Sequence, residues 1–148
     1  MGLDGKAFIV NKFRSMYADA EDTTGPIWAP DNDPRCTPIG QWLRRFHLDE
    51  LPQFWNVLKG EMSMVGPRPE RPFFVTQFKD RIPQYMLRHK VKAGITGWAQ
   101  VNGWSGNTSL EKRLECDLYY IENWSVALDL KIMWLTVVRV LLNRNLAY

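Results

Sequence analysis

The stretch Leu48-Asp49-Glu50-Leu51-Pro52-Gln53-Phe54-Trp55-Asn56-Val57-Leu58-Lys59-Gly60 decides how the chain is read. Leu51, Phe54, Trp55 and Leu58 recur at i, i+3, i+4 and i+7, the spacing of one helical face, and Lys59-Gly60 supplies a C-terminal stop. At about 100° per residue, Asp49, Gln53 and Asn56 fall together on the opposite face. The pattern predicts a short helix whose apolar stripe is buried. Asp49 is expected at its start, where uncapped N–H groups favour an anion and hold a carboxylate ionised. Taken alone, Asp49 reads as an N-cap and Glu50 as a first-turn charge. The flanking residues argue for more.

Upstream, Thr37 is a natural N-cap with Pro38 at the first helical position, and Ile39, Trp42, Leu43 and Phe46 repeat the same spacing. This predicts a second helix with a buried face. Arg44 and Arg45 lie off that face, so both are expected near the Asp49 carboxylate, and a guanidinium fork suits a phosphate. Downstream, Pro67 and Pro69 restrict the backbone on either side of Arg68, and Glu70-Arg71 follow at once. Carboxylates among arginines in a rigid frame point to a phosphorylated substrate with a bound divalent cation.

A chain of 148 residues with 45% hydrophobic residues is the size of one domain, expected over residues 1–148, and can bury a core. Net charge is only +3, and no dense Lys/Arg run with interleaved aromatics occurs, so no nucleic-acid partner is indicated. Cys36 and Cys116 lack metal-ligand spacing and are expected as free thiols. No stretch reaches the roughly 18 apolar residues that span a bilayer. Seven Trp, seven Phe and five Tyr leave two readings, an aromatic core or rings placed at a membrane–water boundary.

Leu3-Asp4-Gly5-Lys6 reads as a turn and residues 7–16 as a strand, with Lys12 and Arg14 on one face, towards phosphate or solvent. Residues 19–35, polar and without periodicity, read as a surface loop. Pro72 begins a helix carrying Phe73, Phe74 and Phe78, and Pro83 restarts a short one through Tyr85 and Leu87. His89 has no partner at metal spacing and is read as structural. Gly94, Gly97 and Gly103 allow close backbone approach to a ligand, or tight turns. Thr108-Ser109-Leu110-Glu111 is a capping-box pattern opening a helix towards Tyr119 and Tyr120. Ser125 caps a last helix over residues 126–142, apolar almost all round apart from Asp129, Lys131, Thr136 and Arg139. Such a helix must be buried in this domain, against another segment or at a membrane surface. The expected fold is mixed α/β, predominantly helical with a small β-sheet, in a single compact domain with a membrane-facing helical surface.

Five ordered motifs carry a resemblance: Lys12-Phe13-Arg14-Ser15-Met16, Leu48-Asp49-Glu50-Leu51-Pro52-Gln53, Val65-Gly66-Pro67-Arg68-Pro69, the stretch from Gly94-Ile95-Thr96-Gly97-Trp98 to Asn102-Gly103, and Leu128-Asp129-Leu130-Lys131. Over residues 2–148 the chain resembles the bacterial sugar transferases, monotopic polyprenyl-phosphate phosphoglycosyl transferases. Within them, Asp117-Leu118-Tyr119-Tyr120 and the residues after it make it similar to members that start exopolysaccharide repeats with glucose or galactose 1-phosphate. Two departures stand out: Trp104-Ser105-Gly106 where Trp-Arg-Gly is usual, and His47 where a small hydroxyl residue is usual.

The resemblance implies that Asp49 attacks the β-phosphate of a UDP-sugar, UMP leaves, and the phospho-sugar passes to undecaprenyl phosphate. It also implies Mg²⁺, with Mn²⁺ as an alternative, held by Asp49 and Glu50. Arg44, Arg68, Lys12 and Arg14 would hold phosphate oxygens. An N-terminal re-entrant membrane helix precedes this domain in such members, and the chain reads as beginning after it. The implied location is the cytoplasmic face of the bacterial inner membrane, on an anionic surface that Lys131, Arg139 and Arg144 would contact. Two alternatives remain: a module that binds nucleotide-sugar or polyprenyl phosphate without turnover, and a nucleotide-sugar hydrolase. The particular sugar, and whether the chain forms a homo-oligomer, stay open.

Overall fold

The computed structural model describes residues 1–22, 25, 27, 33–106 and 108–142. Among them, helices and strands follow in the order α1 Pro38–Arg45, α2 Gln53–Leu58, β1 Ser63–Val65, α3 Pro72–Phe78, β2 Gly94–Thr96, α4 Trp98–Val101, α5 Leu110–Glu122 and α6 Val126–Leu141. Tight 3-10 turns lie at Leu3–Gly5, Leu48–Glu50 and Tyr85–Lys90. The fold is the expected one, predominantly helical with a small β-sheet.

The helix starts follow their caps. Thr37 Oγ1 accepts the Gly40 N–H at 2.9 Å, and Ser125 Oγ accepts the Leu128 N–H at 3.2 Å. α5 is capped by Ser109, whose Oγ accepts the Lys112 N–H at 3.3 Å. Ser109 also donates to Glu111 Oε2 at 2.9 Å, so the predicted box closes one residue later than a Thr108 cap would place it.

β1 and β2 pair in parallel, Ser63 against Gly94 and Val65 against Thr96. Parallel strands need a long crossover, and residues 66–93 supply it with α3 and the Tyr85–Lys90 turn. Of the glycines expected at a ligand or in tight turns, Gly103 turns the chain at φ 83°, while Gly94 and Gly97 serve this pairing. A Cβ on Gly94 would lie 2.2 Å from the Gly66 nitrogen, and one on Gly97 would lie 2.2 Å from the Gly66 oxygen. Because only hydrogen fits there, the sheet end carries the chain straight into Pro67-Arg68-Pro69, with the Gly94 N–H bonded to the Pro67 carbonyl at 2.9 Å.

Val65, Val101, Tyr120 and Ile132 make one core cluster, and Val75, Tyr85 and Leu114 a second. Fully burying one such side chain is worth about 2 kcal/mol. Beside the second cluster lies a buried ionic knot. Arg88 Nη2 is 2.8 Å from Asp117 Oδ2, with both side chains 2% exposed, and it donates to the Arg68 carbonyl at 3.0 Å. Arg113 reaches Glu70 Oε2 at 3.2 Å. His89 is buried edge-on to Tyr85 and is pushed down to about 4 by burial and then by Arg88, as befits a structural histidine. Both cysteines are free.

Two expectations are corrected and a third is narrowed. Residues 7–14 form no strand, and the only ladder contact of this segment is a bridge from Met16 to Cys36. Side chains take the place of a partner strand: Asn56 Oδ1 accepts from the Asn11 backbone N–H at 3.0 Å, and Asn56 Nδ2 donates to the Ile9 carbonyl at 2.7 Å.

The second correction concerns α1 and α2, whose apolar stripes face outward. Ile39, Trp42, Leu51, Phe54, Trp55 and Leu58 are all exposed, Leu58 by 78%, whereas Asn56 is fully buried and Gln53 nearly so. Periodicity identifies which residues share a face, but it is silent on which face meets protein. Here the polar face does, because Asn56 and the Asp49 turn spend their hydrogen bonds holding residues 9–13.

The third concerns α6, expected to be buried in this domain, against another segment or at a membrane surface: the described residues of this domain bury only one side of it. Ile132 is fully buried, while Val126, Leu130, Trp134, Val137 and Leu141, again on one helical face, are exposed. Among the described residues no helix is long and apolar enough to cross a membrane. Arg144, expected at a membrane surface, lies outside the described residues.

Candidate active site

Between α1 and α2 the chain reverses through His47, which adopts the left-handed conformation at φ 55°, and enters the Leu48–Glu50 turn. The Asp49 carbonyl accepts the Phe13 N–H at 2.9 Å, which draws the extended segment 11–16 across the turn. Lys12 is thereby delivered to Glu50, its Nζ 2.6 Å from Oε1. From the other side, the sheet end delivers Arg68, whose Nη1 and Nη2 reach Glu50 Oε2 at 3.1 Å and Oε1 at 2.5 Å. Gly40 sets the third wall. A Cβ there would overlap the Ser15 carbonyl, so α1 lies directly on segment 11–16 and Arg44 points into the same space.

The result is a cavity of about 340 Å³ lined by Lys12, Arg35, Arg44, Arg68, Arg71 and Arg113, with Asp49, Glu21 and Glu70 as its carboxylates. Asp49, Arg44, Arg68 and Lys12 are thus brought together as expected. Arg14 and Arg45 are not. Arg14 is exposed and lines a neighbouring hollow, and Arg45 is exposed with its guanidinium 5.9 Å from the Phe46 ring centre. The expectation that both Arg44 and Arg45 flank Asp49 is therefore corrected, because one helical residue step of about 100° turns the second away.

Arg35, Arg113 and Glu70 were not singled out as site residues from the sequence. Arg35 is held by Asp33 through Nη2–Oδ2 at 2.6 Å. A charged residue on the inward face of α5 was the available signal for Arg113, which is 6% exposed.

Electrostatics separate the two adjacent carboxylates. Burial opposes the charge of Glu50, but Arg68 and Lys12 overcome it and hold this carboxyl well below the usual range. Asp49 moves the other way. Burial, and next the charge of Glu50, push it above an ordinary aspartate, against the pull of Lys12, Arg44 and Arg68. The expected helix-start stabilisation is therefore corrected. Asp49 sits in a three-residue turn ahead of α2, and desolvation dominates there. Asp49 lines the cavity, and its Oδ1 is buried and has no hydrogen-bond partner among the described residues. A buried carboxylate oxygen left without a donor is costly unless a ligand meets it.

That orphaned oxygen fits a divalent cation. Among the described residues no group of three or more His, Cys, Asp or Glu converges to hold a metal, but Mg²⁺ is commonly held by one or two carboxylates, waters and substrate phosphates. Glu50, expected to share it, has both oxygens against Arg68 and Lys12.

The chain that builds this cavity is similar in sequence to several known proteins. The chain is 54% identical over 147 residues to the UDP-glucose:undecaprenyl-phosphate glucose-1-phosphate transferase of Escherichia coli (strain K12), covering 97% of this chain and 32% of that protein. The enzyme of the same name from Xanthomonas campestris is 51% identical over 144 residues, or 95% of this chain and 30% of that one. A UDP-N-acetylgalactosamine-undecaprenyl-phosphate N-acetylgalactosaminephosphotransferase of Aeromonas hydrophila is 46% identical over 139 residues, covering 93% and 33%. The chain spans about a third of the length of these relatives. Residues 1–143 match the family described as bacterial sugar transferase, and this chain belongs to that family.

Proposed function

We propose that the protein transfers a sugar 1-phosphate from a UDP-sugar to undecaprenyl phosphate, through a phospho-sugar ester on Asp49. The observation that carries this reading is Asp49, whose Oδ1 is buried without a hydrogen-bond partner among the described residues, in the lining of a cavity walled by Lys12, Arg44 and Arg68. In the first step a carboxylate oxygen of Asp49 attacks the β-phosphorus, and the bond to the bridging oxygen breaks. UMP departs with that electron pair. In the second step an oxygen of the lipid phosphate attacks the same phosphorus and the Asp49 carboxylate is released. No base is needed for the first attack, since the nucleophile works in its ionised form.

Glu50 fixes the Lys12 ammonium and the Arg68 guanidinium beside the nucleophile, so these charges are in place before substrate arrives. Arg44 adds a third cation on the α1 wall. Mg²⁺ or Mn²⁺ held by Asp49 would neutralise diphosphate and leaving-group charge. Glu50 would join that ion only by exchanging Lys12 or Arg68 for it. The relatives are named for more than one UDP-sugar, so the sugar is a matter for the assay. Incubation with UDP-glucose, UDP-galactose or UDP-N-acetylgalactosamine and undecaprenyl phosphate is expected to give UMP and a lipid-linked product, both stopped by EDTA and restored by Mg²⁺. Free sugar phosphate without lipid product would show a hydrolase. No UMP from any of these donors would sink the reading.

The outward apolar faces of α1, α2 and α6 support a membrane surface as the place of work, at the cytoplasmic leaflet where the lipid acceptor presents its phosphate. Helical stripes of exposed large apolar side chains are the kind of surface that marks an interaction site. Lys59 lies 5.7 Å from the Trp55 ring centre and Arg45 5.9 Å from that of Phe46, flanking the stripe with positive charge. Each such residue near an anionic surface is worth about 1 kcal/mol, screened by salt. The protein is expected to float with anionic vesicles at low salt and less at high salt. Trp55→Glu with Leu58→Glu should abolish flotation at unchanged thermal stability. Absence of wild-type binding at low salt would refute the placement.

A further inference from the structure

Arg14, like Arg45, does not reach the Asp49 cavity. It lines instead a second hollow of about 360 Å³ built from residues 14–22. The two spaces adjoin, because Ser15, Met16 and Glu21 line both. Their linings differ in kind. Charges dominate the Asp49 cavity, and the only aromatic ring among its described lining residues, Phe74, is buried. That suits a diphosphate and gives a nucleobase no face to stack on.

The second hollow has what the first lacks. Tyr17 is 52% exposed and lines this hollow together with the small residues Ala18 and Ala20. The Tyr17 backbone is fixed to the neighbouring chain through its N–H to the Arg35 carbonyl at 3.0 Å, and the turn beyond it closes through the Ala20 N–H to the Tyr17 carbonyl at 3.3 Å. Of the two carboxylates here, Glu21 is held by Arg71 at 2.6 and 2.9 Å. Asp22 is exposed and, among the described residues, forms no ion pair. A carboxylate so placed accepts from a ribose diol, as acidic residues do in dinucleotide sites. Arg14 offers donors to the carbonyl oxygens of a pyrimidine such as uracil.

We infer that the hollow of residues 14–22 is the nucleoside subsite: the base stacks on Tyr17, the ribose diol is held by Asp22, and the diphosphate crosses the Ser15-Met16 wall towards Asp49. This rests on the proposed function and adds where the leaving nucleotide is read. Base–aromatic stacking is sequence-tolerant, and its loss costs about tenfold in affinity or more.

The test is titration calorimetry of the whole protein with UMP, ribose 5-phosphate and inorganic phosphate. Wild type is expected to bind UMP about tenfold more tightly than ribose 5-phosphate. Tyr17→Ala should remove that difference and leave inorganic phosphate binding unchanged, while Tyr17→Phe keeps it. Asp22→Ala should weaken UMP and ribose 5-phosphate alike, again sparing phosphate. UMP binding unchanged in Tyr17→Ala, or no wild-type preference for UMP over ribose 5-phosphate, overturns the subsite and leaves the phosphate site standing. No binding of any of the three by wild type overturns the subsite and the proposed function together.

Discussion

Asp49→Asn is expected to lower UMP release by on the order of 10³-fold or more, the scale on which removal of a covalent nucleophile acts. The substitution keeps shape and removes charge from a buried position, so thermal stability should hold or rise. Intact-mass measurement after exposure to the UDP-sugar, without lipid acceptor, should show a phospho-sugar adduct on wild type and none on the variant. A variant that releases UMP at near wild-type rate would remove Asp49 from the reaction.

The same residue sets the acid side of the pH profile. Burial raises Asp49 above an ordinary aspartate, and only its ionised form attacks, so activity should fall on acidification sooner than a solvated aspartate would dictate. Glu50 is held below the usual range and stays charged through that window, so the acid limb of kcat/KM belongs to Asp49. A profile flat down to the ordinary aspartate range would contradict this assignment.

Asp117→Ala is expected to destabilise the fold by about 3–5 kcal/mol, because it leaves the Arg88 guanidinium buried without its close counter-ion. The pair is 2.8 Å apart and nearly sealed from water, and Glu70, at 4.0 Å from Arg88, is a distant substitute. Urea denaturation followed by circular dichroism measures the loss. Arg88→Met combined with Asp117→Leu should recover much of it, since a well-packed apolar pair avoids both desolvation penalties. A single-variant loss below 1 kcal/mol would show that the pair is dispensable. Arg88 also holds the Arg68 carbonyl at 3.0 Å, so the double variant, folded but without that bond, should still be slower than wild type.

What was legible in the chain follows from what acts locally. Thr37-Pro38, Ser109 and Ser125 set helix starts through bonds spanning three residues; two opened helices where expected, and Ser109 opened α5 one residue after the predicted Thr108 cap. Clustering of Asp49 with Arg44 and Arg68 was also legible, because one short helix and two prolines constrain the distances. The N-terminal strand was not, since a β-prone run at residues 7–10 says nothing of a partner, and the partner here is the Asn56 side chain. Nor were the strands: β1 and β2 have three residues each, too few for an alternating pattern. The direction in which α1 and α2 present their apolar stripes was hidden for a different reason. Hydrophobic periodicity is identical for a helix docked on a core and one turned towards a non-aqueous neighbour, and only the bonds of Asn56 distinguish them.

That outward stripe also determines reach. α2 is six residues long, and an α-helix with its side chains is about 10 Å across. A flat surface touching Phe54, Trp55 and Leu58 therefore lies roughly one helix diameter from the buried polar side of α2, to which Asp49 is joined by only three residues. If the proposed lipid acceptor keeps its tail within such a surface, its phosphate has to rise about 10 Å to meet Asp49, a height set by the diameter of α2.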